Sequence, residues 1–101
     1  MAFYIKIYEN RIGMVEEEAY NYGSFDTESE AMEEAVETVL DFFFDDQYEG
    51  KSLAEMKELW AKEGETPVIV SKDKKPAPPF SAKEFVDKLT EKKLEKYSEN
   101  R

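Results

Sequence analysis

The sequence predicts an α+β fold, in which a small antiparallel or mixed sheet (a β-hairpin plus one short strand) is packed by helices in the order β-β-α-α-β-α. Apolar residues take every second position of residues 3–8, as in a half-buried strand. Three Ser/Thr-x-x-Glu capping boxes precede runs with helical apolar spacing. Between the last two boxes, a Val-Ile-Val run at residues 68–70 predicts a short strand with both faces buried. The length of 101 residues corresponds to a single domain, residues 1–101, with residues 95–101 expected to fray.

The hairpin is predicted from the first quarter of the chain. Phe3, Ile5 and Ile7 occupy alternate positions, which places them on one face of the first strand. After a turn that contains Asn and Gly, a second strand is expected within residues 14–22. We expect Gly23 and the polar residues after it to end this strand, and the two strands to pair as a hairpin.

The capping boxes set the starts of the helices. The first box predicts a helix from Glu28 to about Phe44 or Asp45, and the second predicts a shorter helix that stops before Gly64. The third box opens a last helix after Ser81. The helices therefore supply amphipathic faces that cover the sheet.

Cysteine and histidine are both absent, which excludes several kinds of chemistry. Disulfides, thiolate nucleophiles, Ser-His-Asp triads and His- or Cys-liganded zinc sites cannot be built from this chain. We expect no enzymatic activity, no catalytic residue, no cofactor and no metal. The sequence has neither an apolar run long enough to span a bilayer nor the pattern of a signal peptide, and we expect a cytoplasmic protein.

The formal charge of −10 is distributed unevenly along the chain. Residues 1–50 hold fourteen acidic side chains against Lys6 and Arg11, a formal charge of −12, whereas residues 51–101 carry +2. Such asymmetry indicates a charged patch. An acidic patch repels nucleic acids and anionic membranes and attracts basic proteins. We therefore expect a basic protein partner, without direct binding to nucleic acid or membrane.

Five acidic residues form a row on the first predicted helix. At about 100° per residue they fall within a stripe about 80° wide, on the side opposite to most apolar residues of that helix. Carboxylates at this spacing repel by about 0.2–0.5 kcal/mol per pair, and the helix contains no Lys or Arg to offset the repulsion. The row, called the acidic stripe below, consists of Glu30, Glu34, Glu37, Asp41 and Asp45.

The acidic stripe favours one function over the others. A line of carboxylates resembles a nucleic-acid phosphate backbone in charge, and it suits a basic cleft on a partner protein. The predicted function is a small acidic inhibitor of the immunity, antitoxin or phage anti-defence type. It would occupy a basic, nucleic-acid-binding surface of its partner. Phe44 is the candidate apolar anchor beside the stripe, and packing under the following loop is its alternative.

Other interpretations stay open at this stage. The stripe is alternatively a solvated face, neutralised by lysines of the second half. Asp41, Asp45, Asp46 and Glu49 are alternatively a loose site for Mg²⁺ or Ca²⁺, or a carboxylate-based site. The chain is alternatively a structural module, a homodimer in which the acidic half of one copy meets the lysine-rich half of another. Four tyrosines also need an interpretation. We expect Tyr4 and Tyr8, with Tyr20 or Tyr22, on the outer side of the hairpin, where they either form a stacking platform or pack beneath a helix.

Overall fold

The computed structural model describes residues 2–12, 19–72 and 80–99, and it confirms the predicted α+β class. Residues 13–18 of the hairpin connection and the connector at residues 73–79 lie outside this part of the chain. The order begins β-β-α-α-β as predicted, and two helices follow where the sequence predicts one. The elements are β1 (Phe3–Glu9), β2 (Tyr20–Phe25), α1 (Glu28–Phe43), α2 (Leu53–Glu63), β3 (Glu65–Ser71), α3 (Ala82–Asp87) and α4 (Glu91–Glu99).

The sheet is antiparallel, with β1 in the centre and the order β2-β1-β3. Ile5 lies opposite Tyr22 on one side and Ile69 on the other. Cross-strand partners share a face, so the inward face contains Phe3, Ile5 and Ile7, which are all buried, as the period of two predicts. β3 alternates between buried and half-buried residues, so only one of its faces is fully covered.

Gly23 does not end the second strand, contrary to the prediction. β2 runs from Tyr20 to Phe25, and its register against β1 shifts by one residue at Gly23. This glycine has φ +71°, and the Phe25 ring lies where its Cβ would be, with Cζ 2.6 Å from that position. It therefore forms a β-bulge, a place where glycine supplies a positive φ inside a strand.

Side-chain caps begin the helices, as predicted. The hydroxyl of Thr27 accepts a hydrogen bond from the backbone N–H of Glu30 at 3.2 Å. At α2 both halves of the capping box form, because Glu55 also accepts from the backbone N–H of Ser52. α1 ends at Phe43, within about one residue of the predicted end.

The predicted last helix is interrupted between Lys88 and Thr90. Leu89 is buried there, and the hydroxyl of Thr90 accepts from the backbone N–H of Lys93 at 3.1 Å. Thr90 therefore acts as the N-cap of a separate helix, a signal that was not recognised in the sequence. α4 continues to Glu99, through residues where the sequence predicts fraying.

The face of α1 that packs on the sheet is its apolar side, and small residues form much of it. The fully buried residues of α1 are Ala31, Ala35, Val39 and Leu40, whereas the bulky Met32 is only half-buried. Alanines are small enough to let the helix approach the sheet closely. One flank of the acidic stripe lies next to the edge of the sheet at Tyr22, and this flank forms part of the site described next.

Candidate functional site

The acidic stripe borders the sheet at Glu34. This side chain is half-buried and accepts a hydrogen bond from the hydroxyl of Tyr22 at 2.8 Å. Tyr22 lies opposite Ile5 in the sheet and therefore on the face that α1 covers. The stripe is thus a flank of the helix next to β2, and a depression lies between the two.

This depression is a concave groove of about 330 Å³ between α1, β2 and the start of β3. The tertiary structure adds acidic residues from outside α1 to those of the stripe. Glu63 ends α2 and Glu65 begins β3, and both line the groove. We call it the acidic groove, and its acidic and phenolic lining consists of Glu34, Asp41, Asp45, Glu63, Glu65, Tyr20 and Tyr22.

The two tyrosines of the acidic groove are its exposed aromatic surface. Tyr20 and Tyr22 expose 45% and 43% of their surface, and they are the exposed large hydrophobic residues of the described chain. They share the α1 side of the sheet, whereas Tyr4 and Tyr8 pair with Val70 and Thr66 on the opposite side. The prediction that Tyr4 and Tyr8 share an outer face with Tyr20 or Tyr22 is therefore wrong, because the register puts both of the latter on the α1 side of the sheet.

Tyr20 closes the end of the groove formed by the strands. Its hydroxyl donates to the carboxylate of Glu65 at 2.5 Å. Glu65 lies directly opposite Glu9 in the sheet, a pairing of like charges that destabilises a sheet, and Arg11 contacts Glu9 at 3.7 Å. Two carboxylates are therefore held close together at this end of the sheet.

The surrounding acids raise the pKa of both tyrosines. For Tyr20 the pKa rises to about 12, first because solvent is removed from the hydroxyl, then because of the hydrogen bond to Glu65 and the charges of Glu65 and Glu9. For Tyr22 the hydrogen bond to Glu34 is the main cause of the raised pKa, followed by the charge of Glu34. Both phenols are therefore neutral donors at neutral pH.

The raised pKa of Tyr20 predicts a pH-dependent contribution to stability. A pKa above its unfolded value of 10.0 stabilises the fold fully below about pH 10, and this stabilisation is lost as the pH rises towards about 12. Tyr20→Phe should lower the free energy of unfolding by about 0.5–1.5 kcal/mol at pH 8, with a gap to wild type that narrows between pH 10 and 12. Urea denaturation across this range measures the gap. In an absorbance titration of the tyrosines, the variant should lose the ionisation near pH 12. Loss of an ionisation near pH 10 instead would contradict the Tyr20–Glu65 contact.

The other residues of the acidic stripe lie along the exposed side of α1. Glu30 accepts from the hydroxyl of Thr27 at 3.1 Å, next to the N-terminus of the helix. Asp45 follows the helix and accepts from the backbone N–H and the side-chain amide of Gln47, each at 3.1 Å. Glu37 and Asp41 are exposed between them. The structure therefore brings Glu34, Asp41 and Asp45 into the groove, whereas Glu30 and Glu37 do not line it.

Neutral donors hold three of these carboxylates. Glu30, Glu34 and Asp45 accept from hydroxyls and amides, which satisfy hydrogen-bond geometry but leave the formal charge in place. These contacts also fix the carboxylates, because each one is bonded to a residue of a neighbouring segment or turn. Such fixed charges lose less conformational entropy when a partner binds.

Phe44 is the C-cap of α1 and is half-buried. It lines a separate groove together with Leu53, Met56 and Leu94. Asp45 lines both grooves. Phe44 is therefore near the acidic groove along the chain but faces a separate surface formed with α2 and α4.

The carboxylates do not converge as metal ligands do. Among the residues that the structure describes, no group of three or more acidic side chains is placed to hold a metal ion. Asp41 and Asp45 line the acidic groove, whereas Asp46 and Glu49 line the groove that contains Phe44. The four residues of the alternative metal site are therefore divided between two surfaces.

Sequence reasoning missed Tyr20, Tyr22, Glu63 and Glu65 as parts of this site. The two glutamates are about thirty residues from Glu34 in the chain, and only the pairing of β3 with β1 brings them near α1. The tyrosines had a usable signal, since alternate positions of a strand share a face, but the limits of β2 could not be assigned.

Comparisons with known proteins add no family to this description. No helix among the described residues is long and apolar enough to cross a membrane. No protein-family model, curated protein or solved structure matches this chain.

Proposed function

We propose that this protein is a small acidic inhibitor that binds a basic, nucleic-acid-binding surface of another protein through the acidic groove and the acidic stripe. The observation that carries the proposal is the convergence of carboxylates from α1, α2 and β3 around two exposed tyrosines. The chain carries a formal charge of −10, so the partner is attracted over a long range as well as at the surface.

The acidic groove has the shape for single basic side chains. A space of about 330 Å³ admits one or two Lys or Arg side chains and no larger element of a partner. A concave surface lined by one sign of charge focuses the electrostatic field and concentrates a cationic group within it. The phenol rings supply faces for cation–π contact with guanidinium groups, worth about 0.5–1 kcal/mol at an exposed site.

The acidic stripe extends this contact along α1. The exposed carboxylate of Glu37 lies between the groove residues Glu34 and Asp41, and that of Glu30 continues the row by about one turn towards the N-terminus of the helix. Basic side chains of a nucleic-acid-binding cleft follow a phosphate backbone, which is also a line of negative charges. The protein would therefore inhibit by occupying the cleft, with electrostatic steering of the encounter and exclusion of the nucleic acid.

The experiment compares two triple variants of equal charge. Glu34→Gln, Glu37→Gln and Asp41→Asn remove three charges from the groove and stripe while they keep side-chain size. Glu33→Gln, Glu58→Gln and Glu99→Gln remove three exposed charges that line no described groove. Proteins retained from the native host on the immobilised wild type are identified, and their purified forms are tested against all three proteins by surface plasmon resonance at two salt concentrations.

We expect the first triple to weaken binding at least tenfold, mainly through a slower association at low salt, and the second triple to stay within about threefold of wild type. Equal weakening by both triples would show that only net charge matters. A retained partner with no excess of basic residues, or a groove triple that binds as wild type does, contradicts the proposal.

A further inference from the structure

A third groove lies between the outer edge of β3 and helices α2 and α3. It has a volume of about 610 Å³, within the usual range for small-molecule sites. Its walls are largely apolar, with Trp60, Pro67, Val68, Phe80 and Val86 among the lining residues. We call it the apolar groove. It shares no carboxylate with the acidic groove and faces α3 instead of β2.

The indole N–H of Trp60 is the unusual polar group of the apolar groove. Trp60 is 95% buried, as its exposure is 5%, and its Nε1 has no hydrogen-bond partner among the described residues. A buried donor without an acceptor costs about 1–3 kcal/mol, and Trp normally pairs this N–H when buried. Within the described part of the chain, the N–H of Trp60 is therefore a buried donor without an acceptor.

The indole edge that carries the N–H lies against Gly64, and Asn10 is bonded to the backbone of both residues. A Cβ on Gly64 would be 2.4 Å from Cδ1 of Trp60, the ring atom bonded to Nε1. Asn10 holds the same corner, because its backbone N–H donates to Gly64 at 2.9 Å and its side-chain amide donates to the carbonyl of Trp60 at 2.7 Å. Trp60 and Asn10 both line the apolar groove, so an acceptor that enters beside the Asn10 amide is the occupant that would pair this N–H.

The charges at the rim favour an anion. Lys57 and Lys83 line the groove together with one acidic residue, Asp87, so the rim is net positive in a strongly acidic protein. The ammonium group of Lys57 donates to the backbone carbonyl of Asp87 at 3.1 Å, which fixes it between α2 and α3 at the mouth. An anionic group is attracted here and repelled by most of the remaining surface.

The edge of β3 disfavours an added peptide strand. The backbone N–H of Lys72 donates to Ala2 and that of Asn10 donates to Gly64. The even-numbered residues of β3 therefore form the hydrogen-bonded pairs with β1, and the odd-numbered residues direct their backbone groups away from β1. The nitrogen of Pro67 therefore faces outward, at the place where a new strand would need a donor. Proline at this position blocks pairing along the edge, which leaves a small molecule as the better occupant.

We infer that the apolar groove binds a small carboxylic acid with an apolar tail, whose tail packs between Val68 and Val86 and whose carboxylate accepts from the indole N–H of Trp60. The lysines at the mouth supply the attraction, and the Asn10 amide yields to admit the carboxylate. This site is independent of the acidic groove.

The test uses octanoate as the probe and the intrinsic fluorescence of Trp60, the only tryptophan in the chain, as the reporter. We expect a saturable change in emission with octanoate and at least tenfold weaker binding of 1-octanol, which has the same tail without the charge. The absence of a saturable change up to millimolar octanoate, or equal binding of octanol, overturns the inference.

Matched variants locate the binding. Ala61→Leu fills the groove from an exposed position of α2, and Ala54→Leu adds the same side chain to α2 away from the groove. Octanoate should lose at least tenfold in affinity with the first and stay unchanged with the second. Likewise Lys57→Gln with Lys83→Gln should weaken binding several-fold, whereas Lys62→Gln with Lys92→Gln should not. Equal behaviour within either pair overturns the proposed position.

Trp60→Phe tests the role of the donor. The variant keeps an apolar ring and lacks the N–H, and calorimetry replaces fluorescence as the measurement. We expect octanoate affinity to fall about tenfold and octanol affinity to change less than threefold. An equal loss of affinity for octanoate and octanol would show that altered packing causes the effect, and it would contradict a hydrogen bond from the Trp60 N–H.

Discussion

Ile5→Ala should lower the free energy of unfolding by about 2–5 kcal/mol, the range for truncating a fully buried Ile or Leu. Ile5 is 0% exposed and lies at the centre of the middle strand, between Tyr22 and Ile69. It belongs to the cluster that packs the sheet against Ala31 and Ala35 of α1. These alanines cannot extend to fill the space, so a cavity remains.

The loss is large against the total, since a domain of this kind has a net stability of about 5–15 kcal/mol. Urea denaturation followed by circular dichroism measures it. Ile5→Val should cost about 0.5–1.5 kcal/mol at the same site. Val70→Ala, at a half-buried position on the opposite face of the sheet, should cost clearly less than Ile5→Ala. Equal losses for Ile5→Ala and Val70→Ala would contradict the assignment of the inward face.

Gly64→Ala should lower the free energy of unfolding by about 3 kcal/mol, the upper end for overpacking. The added Cβ would lie 2.4 Å from Cδ1 and 2.7 Å from the backbone carbonyl of Trp60. The indole is confined by the buried Val39, Ala82 and Val86, so neither the ring nor the carbonyl can move away easily. The destabilisation is steric, because Gly64 has φ −78°, a value that any residue adopts without backbone strain.

Gly50→Ala is the matched control for this glycine. Gly50 has φ +90° and open space around its Cβ position, so alanine there meets backbone strain of about 1–2 kcal/mol and no steric contact. Tryptophan fluorescence separates the two causes. We expect Gly64→Ala to shift the emission of Trp60 and Gly50→Ala to leave it unchanged. A Gly64→Ala protein with wild-type stability and emission would show that Trp60 does not pack against this glycine.

The elements that could be predicted depend on interactions between near neighbours in the chain. The alternation of Phe3, Ile5 and Ile7 identifies β1 and its inward face, because side chains of a strand alternate with a period of two. The cap residues Thr27 and Ser52 identify the starts of two helices, because a cap bonds to a backbone N–H only three residues away.

The elements that were misassigned depend on longer-range packing. Gly23 resembles a strand end in sequence, and only its pairing with β1 makes it a bulge. Leu89 fits a continuous helical pattern, and its burial and the cap at Thr90 divide that helix in two. In both places the local pattern permits two conformations, and contacts with distant residues select one of them.

The sequence by itself determined the α+β class, the helix starts, the excess of negative charge and the row of carboxylates on α1, because each depends on composition or on spacing of a few residues. Only the tertiary structure decided where that charge faces. The small residues Ala31 and Ala35 pack α1 on the sheet, and strand register placed Tyr22 and Glu65 beside it. The acidic groove exists because segments far apart in the chain pack together, which no local pattern encodes.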